Sequence, residues 1–383
     1  MKSKVIKYLV FLGFVGVVIA GIYYLNLSNR HKAIVKTQLL HRLGLVDNDW
    51  KIGTTDTSTY FTTPTFVVDN IYKSMEGPKA MRSFQLNPNK SELVWLTSFE
   101  TIALSTNEQD TLSNDFICHS NVDYYDGEHF SKWNLEHRIG EQYPRLTSMS
   151  NGVERYSFPE GFGFPVFTDE NLFLASQALN HNITNDVFTI KHKMNLGYKP
   201  HNKNMKPLKS KTIFVMLPFE SNEVDFRNPE MTDPNACLPV DLKNHVYTDE
   251  DGNSLTGHWV IFPGRKTYQS NVTKQLALND TTSMHHIAVH LHPFAEELSL
   301  KDITSDSILF TSEATNFKDK IGLKKVDSFS SEKGVLFFPD HEYELILKVN
   351  NTTNKRQDMM ASMFVFLYDT EMDEKIRQYN SNL

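Results

Sequence analysis

The segment "MHHIAVHLHP", residues 284–293, is the part of the sequence that best indicates both a fold and a site. Successive side chains in a β-strand point to opposite faces. One face of this segment would be aliphatic, with Ile287, Val289 and Leu291. The other would carry imidazoles, at His286, His290 and His292, with Ala288 among them. The pattern predicts a strand with one face in a core and the other face at a binding site.

Strand patterns of this kind recur along most of the chain. The clearest, separated by Gly, Pro, Asn and Asp, are 92–104, 171–180, 187–196, 211–219, 257–264, 341–349 and 361–369. Helical patterns are few, with 128–138 as one candidate. Many short strands without alternating helices are typical of antiparallel sandwiches. We therefore predict an all-β protein built from two tandem jelly-roll β-sandwich domains.

The N-terminus differs from the rest. Three lysines, at positions 2, 4 and 7, precede an apolar run over 8–27. About 20 apolar residues suffice to cross a bilayer, and flanking lysines favour a cytoplasmic N-terminus. We expect an uncleaved signal anchor over 1–30, with a cleaved signal peptide as the alternative, and a short stalk helix over 31–45. Both alternatives place the remaining chain on the periplasmic or extracellular side of the membrane.

Composition describes an ordinary globular protein. The chain has 383 residues, of which 40% are apolar, and a formal net charge of −7. This length favours two domains. The polar stretch 198–210 is the best boundary, giving domains at 46–200 and 208–383. No dense basic patch occurs outside the N-terminus, so we expect no nucleic-acid partner.

A metal is the simplest ligand for the histidine face. His290 and His292 lie two apart on a strand, with Cα atoms about 6.6 Å apart, so both imidazoles can reach one ion. Imidazole suits Zn, Cu, Fe and Ni, and a thioether as third ligand would favour copper. The segment "RQDMMASMFVFLYD" (356–369) supplies methionines at the start of a strand. The alternative is that the histidines are polar decoration and the methionines are core residues.

Three segments, in order, resemble the catalytic half of the copper type II, ascorbate-dependent monooxygenases, the family of peptidylglycine alpha-hydroxylating and dopamine beta-monooxygenases. They are "GHWVIFPG" (257–264), "HHIAVHLHPFAEEL" (285–298) and "DMMASMFVF" (358–366). The resemblance implies one copper held by His290, His292 and Met360, with Met359 as the neighbouring alternative. It also implies two jelly-roll domains, and C–H hydroxylation of a small-molecule or peptide substrate by O2 with an external electron donor.

The first predicted domain departs from the family pattern. The resemblance implies a second copper held there by three histidines, but "CHSNVD" (118–123) retains only His119, beside Cys118. In "SQALNHN" (176–182), Asn180 takes the expected histidine position and His181 is offset by one residue, which on a strand turns the side chain to the other face. We expect one copper, with Cys118, His119, His181 and His286 as further metal candidates.

Two other expectations concern isolated residues. His258, just before the metal strand, is a candidate to orient a ligand from behind. Cys118 and Cys237 form either one disulfide in an oxidising compartment or two separate buried thiols. As a whole, the sequence favours a copper-dependent monooxygenase. The alternatives are a non-catalytic protein that stores, senses or delivers copper, and a structural protein with incidental histidines.

Overall fold

A computed structural model describes residues 2–219, 221–224, 246–248 and 252–382. Cys237 lies outside the described residues, so the predicted disulfide between Cys237 and Cys118 stays a prediction. Within the described part of the chain, strands dominate and long helices are confined to the two ends. This confirms the prediction of a mainly β protein. The tandem jelly-roll arrangement stays a prediction.

Two helices open the chain. Helix α1 (Lys2–Leu25) contains the apolar run Val5–Leu25, whose 21 residues are long enough and apolar enough to cross a membrane. At 1.5 Å per residue this run spans about 31 Å. Helix α2 (Asn29–Arg42) begins after Ser28, whose hydroxyl accepts a hydrogen bond from the His31 N–H. The apolar N-terminal helix expected from the sequence is therefore present.

The N-terminal half (residues 46–200) contains the first strands and one short helix, α3 (Asp126–Lys132). The strands are β1 (Lys51–Thr54), β2 (Ser58–Thr62), β3 (Phe66–Val68), β4 (Lys79–Phe84), β5 (Leu93–Ser105), β6 (Ile117–Tyr124), β7 (Arg145–Ser150), β8 (Arg155–Ser157), β9 (Phe162–Phe167), β10 (Leu172–Ala178) and β11 (Phe188–Pro200). The predicted helix over 128–138 is only partly helical, because Glu136–Arg138 forms a 3₁₀ turn after α3 ends.

The C-terminal half (206–382) contains the remaining strands, the short helix α4 (Thr273–Leu276) and the final helix α5 (Thr370–Ser381). The strands are β12 (Lys206–Phe214), β13 (Leu217–Pro218), β14 (Val246–Thr248), β15 (Ser254–Thr256), β16 (Trp259–Ile261), β17 (Gly264–Asn271), β18 (Thr282–Leu291), β19 (Ala295–Asp302), β20 (Ser307–Asn316), β21 (Leu323–Val326), β22 (Phe329–Phe337), β23 (Tyr343–Asn351), β24 (Gln357–Met359) and β25 (Ala361–Tyr368). Much of the predicted polar boundary is strand, since β11 runs to Pro200 and β12 begins at Lys206.

One long sheet passes through both halves. Its strands follow the order β1-β2-β11-β5-β9-β12-β25-β18-β22, and the two halves join where β9 and β12 pair in parallel. A sheet in the order β4-β10-β6-β7 faces its N-terminal part, with Ser176 of β10 bonded to His192 of β11 at 2.8 Å. The C-terminal half also contains a sheet in the order β17-β23-β19-β20-β21 and two small sheets, β13-β15-β14 and β16-β24.

A single hydrophobic cluster includes buried residues from both halves. Val122 and Leu196 belong to it from the N-terminal half, and Ile287 and Val365 from the C-terminal half. The aliphatic face predicted for β18 is thus in the core. The His286 end of the histidine face is also covered, since the His286 ring stacks on Tyr156 of the N-terminal half at 4.7 Å between ring centroids. The histidines therefore lie between the two halves of the molecule.

Candidate metal centre

The strand pair β18–β25 brings the predicted copper ligands together. His290 lies opposite Ser362 and Leu291 opposite Ala361. One residue further on, the His292 N–H donates to the Met360 carbonyl at 3.2 Å. Met360 is therefore placed directly beside His292 by the register of the sheet.

These residues line a cleft with a volume of about 630 Å³. We call it the histidine cleft, and the candidate metal residues on its walls are His119, His258, His290, His292 and Met360. His119 comes from the N-terminal half, and the other four come from the C-terminal half. The cleft thus opens between the two halves, which no local sequence pattern indicated.

Three imidazoles lie side by side on the C-terminal wall of the cleft. The ring centroids of His290 and His292 are 5.5 Å apart, and those of His258 and His292 are 6.2 Å apart. The separation of His290 and His292 is compatible with both rings reaching one ion. His258 precedes β16, which pairs with β24 next to Met360, so it borders the same wall.

Asp358 stands behind His292. Its Oδ2 lies 3.0 Å from Nδ1 of His292. Burial by itself would raise the pKa of Asp358, but the contact with His292 and the fields of His258 and His181 hold it below its ordinary value. A carboxylate beside one ring nitrogen is the usual arrangement behind a metal-binding histidine, because it orients the ring and leaves the other nitrogen for the metal.

Met359 and Met360 have different environments. Met359 is fully buried in the core, on β24 opposite Trp259. Met360, between β24 and β25, borders the cleft. The structure thus places Met360 with the histidines, and Met359 away from them.

A β-bulge shapes the contribution of β6. His119 pairs with Gln177 and Ile117 with Ala178, so Cys118 is an extra residue in the strand. The Cys118 thiol accepts a hydrogen bond from the Met75 N–H at 3.3 Å, and burial raises its pKa to about 11. Burial and the fields of Arg145 and Lys79 lower the pKa of His119 to about 3. His119 is therefore neutral, the form that binds metals, whereas Cys118 is a protonated thiol.

His181 lies near the site despite its offset in sequence. Strand β10 ends at Ala178, and the Asn180 side chain instead fixes a turn by accepting from the Ile183 N–H at 2.9 Å. The rule that a one-residue offset reverses the side chain therefore does not apply at His181. Both ring nitrogens of His181 are buried without a hydrogen-bond partner among the described residues. Burial lowers its pKa to about 4, opposed by the field of Asp358.

His286 lies at the other end of β18, within an aromatic cluster. Its ring contacts Tyr156, Phe158 and Phe366 at centroid distances of 4.7, 5.6 and 5.6 Å. Burial lowers its pKa to about 3, so the ring is neutral. The strand carries His286 on the same face as His290, but its surroundings are those of a core side chain.

The donor set of the cleft fits copper. Among the described residues, no group of three His, Cys, Asp or Glu side chains is arranged to hold a metal ion. His290, His292 and Met360 line the same cleft, so two imidazoles and a thioether are among the donors present there. Nitrogen with soft sulfur is a ligand combination suited to Cu(I).

Polar groups on the remaining walls were not singled out from the sequence. Arg145 Nε donates to Asp123 Oδ1 at 2.8 Å, and the Tyr143 hydroxyl donates to Asp123 Oδ2 at 2.9 Å. Lys79 of β4 borders the cleft as well. The position of Asp358, two residues before Met360, could have marked it in the sequence as a neighbour of the proposed ligand. No sequence pattern marked Lys79 as a cleft residue, since only the fold brings β4 to the cleft.

Comparisons with known proteins assign no family. No protein-family model matches the chain, and no curated protein matches it. A structure of the cowpea mosaic virus top component is 8% identical over 76% of this chain and 89% of that chain, with a TM-score of 0.32. The ANX2 ectodomain from Arabidopsis thaliana is 7% identical over 84% of this chain and 90% of that chain, with a TM-score of 0.18. These likenesses are too distant to carry a conclusion about fold or function.

Proposed function

We propose that this chain is a membrane-anchored, extracytoplasmic copper protein that hydroxylates a C–H bond of a small-molecule or peptide substrate with O2 and an external reductant. His290, His292 and Met360 would hold the copper. One observation carries the proposal: these three residues line one cleft, and Asp358 lies 3.0 Å behind the Nδ1 atom of His292. The resemblance in sequence order and this grouping in space support each other.

Each of these side chains has a definite part in the proposed site. The two imidazoles and the thioether supply three donors and leave the cleft side open to ligands. When bound there, copper would supply oxygen activation for hydroxylation. Asp358 fixes the orientation of His292, and His258 borders the same wall.

The cleft itself supports an enzyme. Its volume of about 630 Å³ lies within the range of pockets that hold small molecules, about 300–1,000 Å³. Its walls present an ammonium at Lys79 and an Arg145–Asp123 pair, which are groups that can orient a polar substrate. A site used only for metal storage has no need of such a volume beside the ion.

Oxygen uptake tests this function. The full chain is purified in detergent, loaded with copper and supplied with ascorbate and a panel of small molecules and peptides. We expect substrate-dependent oxygen consumption that is lost in His290→Ala and retained in His137→Ala, which alters an exposed histidine. Copper binding without oxygen consumption above the His290→Ala level, for every compound, would contradict the proposal.

A copper carrier is the second candidate. It is favoured by the N-terminal half, from which only His119 among the candidate histidines reaches the cleft wall, whereas the resemblance implies three. A carrier would bind Cu(I) and pass it to an acceptor chelator or protein without consuming oxygen. Assays on the same purified protein distinguish the two functions. Copper transfer to an acceptor indicates a carrier, and substrate oxidation indicates an enzyme.

A further inference from the structure

Helix α2 carries an exposed apolar stripe. Val35, Leu39 and the C-cap residue Leu43 follow one another at four-residue spacing, with exposed fractions of 45%, 55% and 61%. Residues four apart lie on the same face of a helix. The first helix outside the proposed membrane anchor thus presents aliphatic side chains to its surroundings.

The opposite face of α2 is fixed to the N-terminal half. Ala33 is fully buried in a cluster with Phe66, Tyr72 and Ala80. Thr37 is buried on this side as well, and a ring nitrogen of His41 lies 3.0 Å from the Thr65 carbonyl oxygen. Lys36, on the flank between the two faces, forms an ion pair with Asp69. Because this face holds the helix to the protein, the stripe points away from the body and has a fixed direction.

The chain connection places α2 close to a membrane crossed by α1. Helix α1 ends at Leu25 and α2 begins at Asn29. Four residues span at most about 14 Å. The start of α2 therefore cannot lie far from the bilayer boundary, within the depth of a headgroup layer.

The charge of α2 favours an anionic surface. Its sequence, "NRHKAIVKTQLLHR", contains four basic Lys and Arg residues and no Asp or Glu. Basic residues and exposed aliphatic side chains directly after a membrane anchor can both contact an anionic bilayer surface, through electrostatic attraction and through burial of apolar area.

We propose that α2 lies on the bilayer surface, with Val35, Leu39 and Leu43 inserted among the lipids and with Lys32 and Arg42 at anionic headgroups. This rests on the membrane anchoring included in the proposed function. The partner is a phospholipid bilayer containing anionic lipid.

The contact would also position the histidine cleft. Ala80 of β4 packs in the same cluster as Ala33 of α2, and Lys79, next to Ala80, lines the cleft. Burial and the field of Arg30 at the start of α2 lower the pKa of Lys79, which agrees with this proximity. Docking α2 would therefore bring β4, the strand that carries Lys79, close to the headgroups.

Photo-crosslinking in nanodiscs tests the proposal. The full chain is reconstituted in phosphatidylcholine with a minority of phosphatidylglycerol, and a diazirine amino acid replaces Leu39, Leu43 or, as control, Leu336. Leu336 is 56% exposed but lies on β22 in the C-terminal half. We expect phospholipid adducts from positions 39 and 43 and none from 336. With the probe at Val35, the Leu39→Gln/Leu43→Gln variant should lose its adduct.

Three results would overturn the proposal. Equal adduct yields at 39 and 336, in a chain retained by the disc, would refute α2 docking and leave the anchor intact. Adducts between two protein chains would identify the stripe as a dimer interface. A chain that does not remain with the disc would refute the anchor and the docking together. Copper plays no part in the assay, so none of these results bears on the copper site.

Discussion

The Nδ1 atom of His292 lies 3.0 Å from Oδ2 of Asp358, and His292 itself lines the histidine cleft. A carboxylate in this position fixes the ring orientation and increases the basicity of the opposite nitrogen. Asp358 is therefore the residue through which the metal site can be weakened without removing a proposed ligand.

Replacing Asp358 with Asn should lower copper affinity. Loss of such an outer contact typically costs about 10–100-fold in metal affinity. The measurement is a competitive Cu(I) titration against a chelator, with Asp306→Asn as control because the Asp306 side chain is 85% exposed. An Asp358→Asn affinity equal to that of the control would show that the carboxylate does not support the site.

Replacing His286 with Leu should leave copper binding unchanged. The His286 ring is buried against Tyr156, and its two nitrogens have no hydrogen-bond partner among the described residues. An apolar side chain suits such surroundings, so we also expect the melting temperature to be equal or higher. Copper content and thermal melting check both points. Loss of copper in this variant would make His286 a ligand.

Arg138 should contribute strongly to stability. Its guanidinium donates to both carboxylate oxygens of Asp369, at 2.7 and 2.8 Å, and Asp369 in turn caps α5 by accepting from the Met372 N–H. Arg138→Ala leaves Asp369 buried without its partner, which typically costs about 3–5 kcal/mol. The free energy of unfolding in detergent measures this loss.

Arg155→Ala is the matched control for Arg138. Arg155 pairs with Glu100 at 3.2 Å, but its side chain is 77% exposed. Exposed ion pairs contribute at most about 1 kcal/mol. Similar losses in the two variants would mean that burial of the Arg138 pair adds nothing to its strength.

Stability should fall as the pH drops from about 6.5 to about 4, in part because of His192. This residue is fully buried, with its ring nitrogens 2.8 Å from Ser176 Oγ and 3.2 Å from the Phe116 carbonyl oxygen. Burial lowers its pKa to about 4, against about 6.5 in the unfolded chain. The unfolded state then binds more protons in this window, so acid favours unfolding by up to about 3 kcal/mol.

Thermal melts between about pH 4 and about pH 6.5 check whether stability falls as the pH drops. His192→Gln should flatten the pH dependence even if the variant is less stable at neutral pH. His137→Gln, at an exposed position, should keep the wild-type dependence. An unchanged slope in His192→Gln would show that another group is responsible for the acid sensitivity.

The strands could be predicted because their signals are local. Period-two alternation and β-branched residues placed β5, β10 and β18 close to their observed bounds. The local arrangement around the proposed copper ligands was also accessible, because a backbone hydrogen bond between adjacent strands connects Met360 to His292. In these segments, residues close in sequence determine the secondary structure and the direction of the side chains.

The remaining features depend on contacts distant in sequence. No sequence pattern predicts the β-bulge at Cys118. Strand β10 ends before His181, and the Asn180 side chain holds the turn that follows. His119 and His290 line the same cleft only because the sheet joins the two halves through β9 and β12. Single-sequence patterns carry no information about such pairings.

The most direct test of the central claim is the copper content of the full chain. Wild type, His290→Ala/His292→Ala and His119→Ala are purified in detergent, loaded with copper, desalted and analysed for copper per chain. We expect one copper per chain in wild type and in His119→Ala, and none in the double variant. No retained copper in wild type, or equal copper in wild type and the double variant, would contradict the assignment of His290 and His292 as ligands.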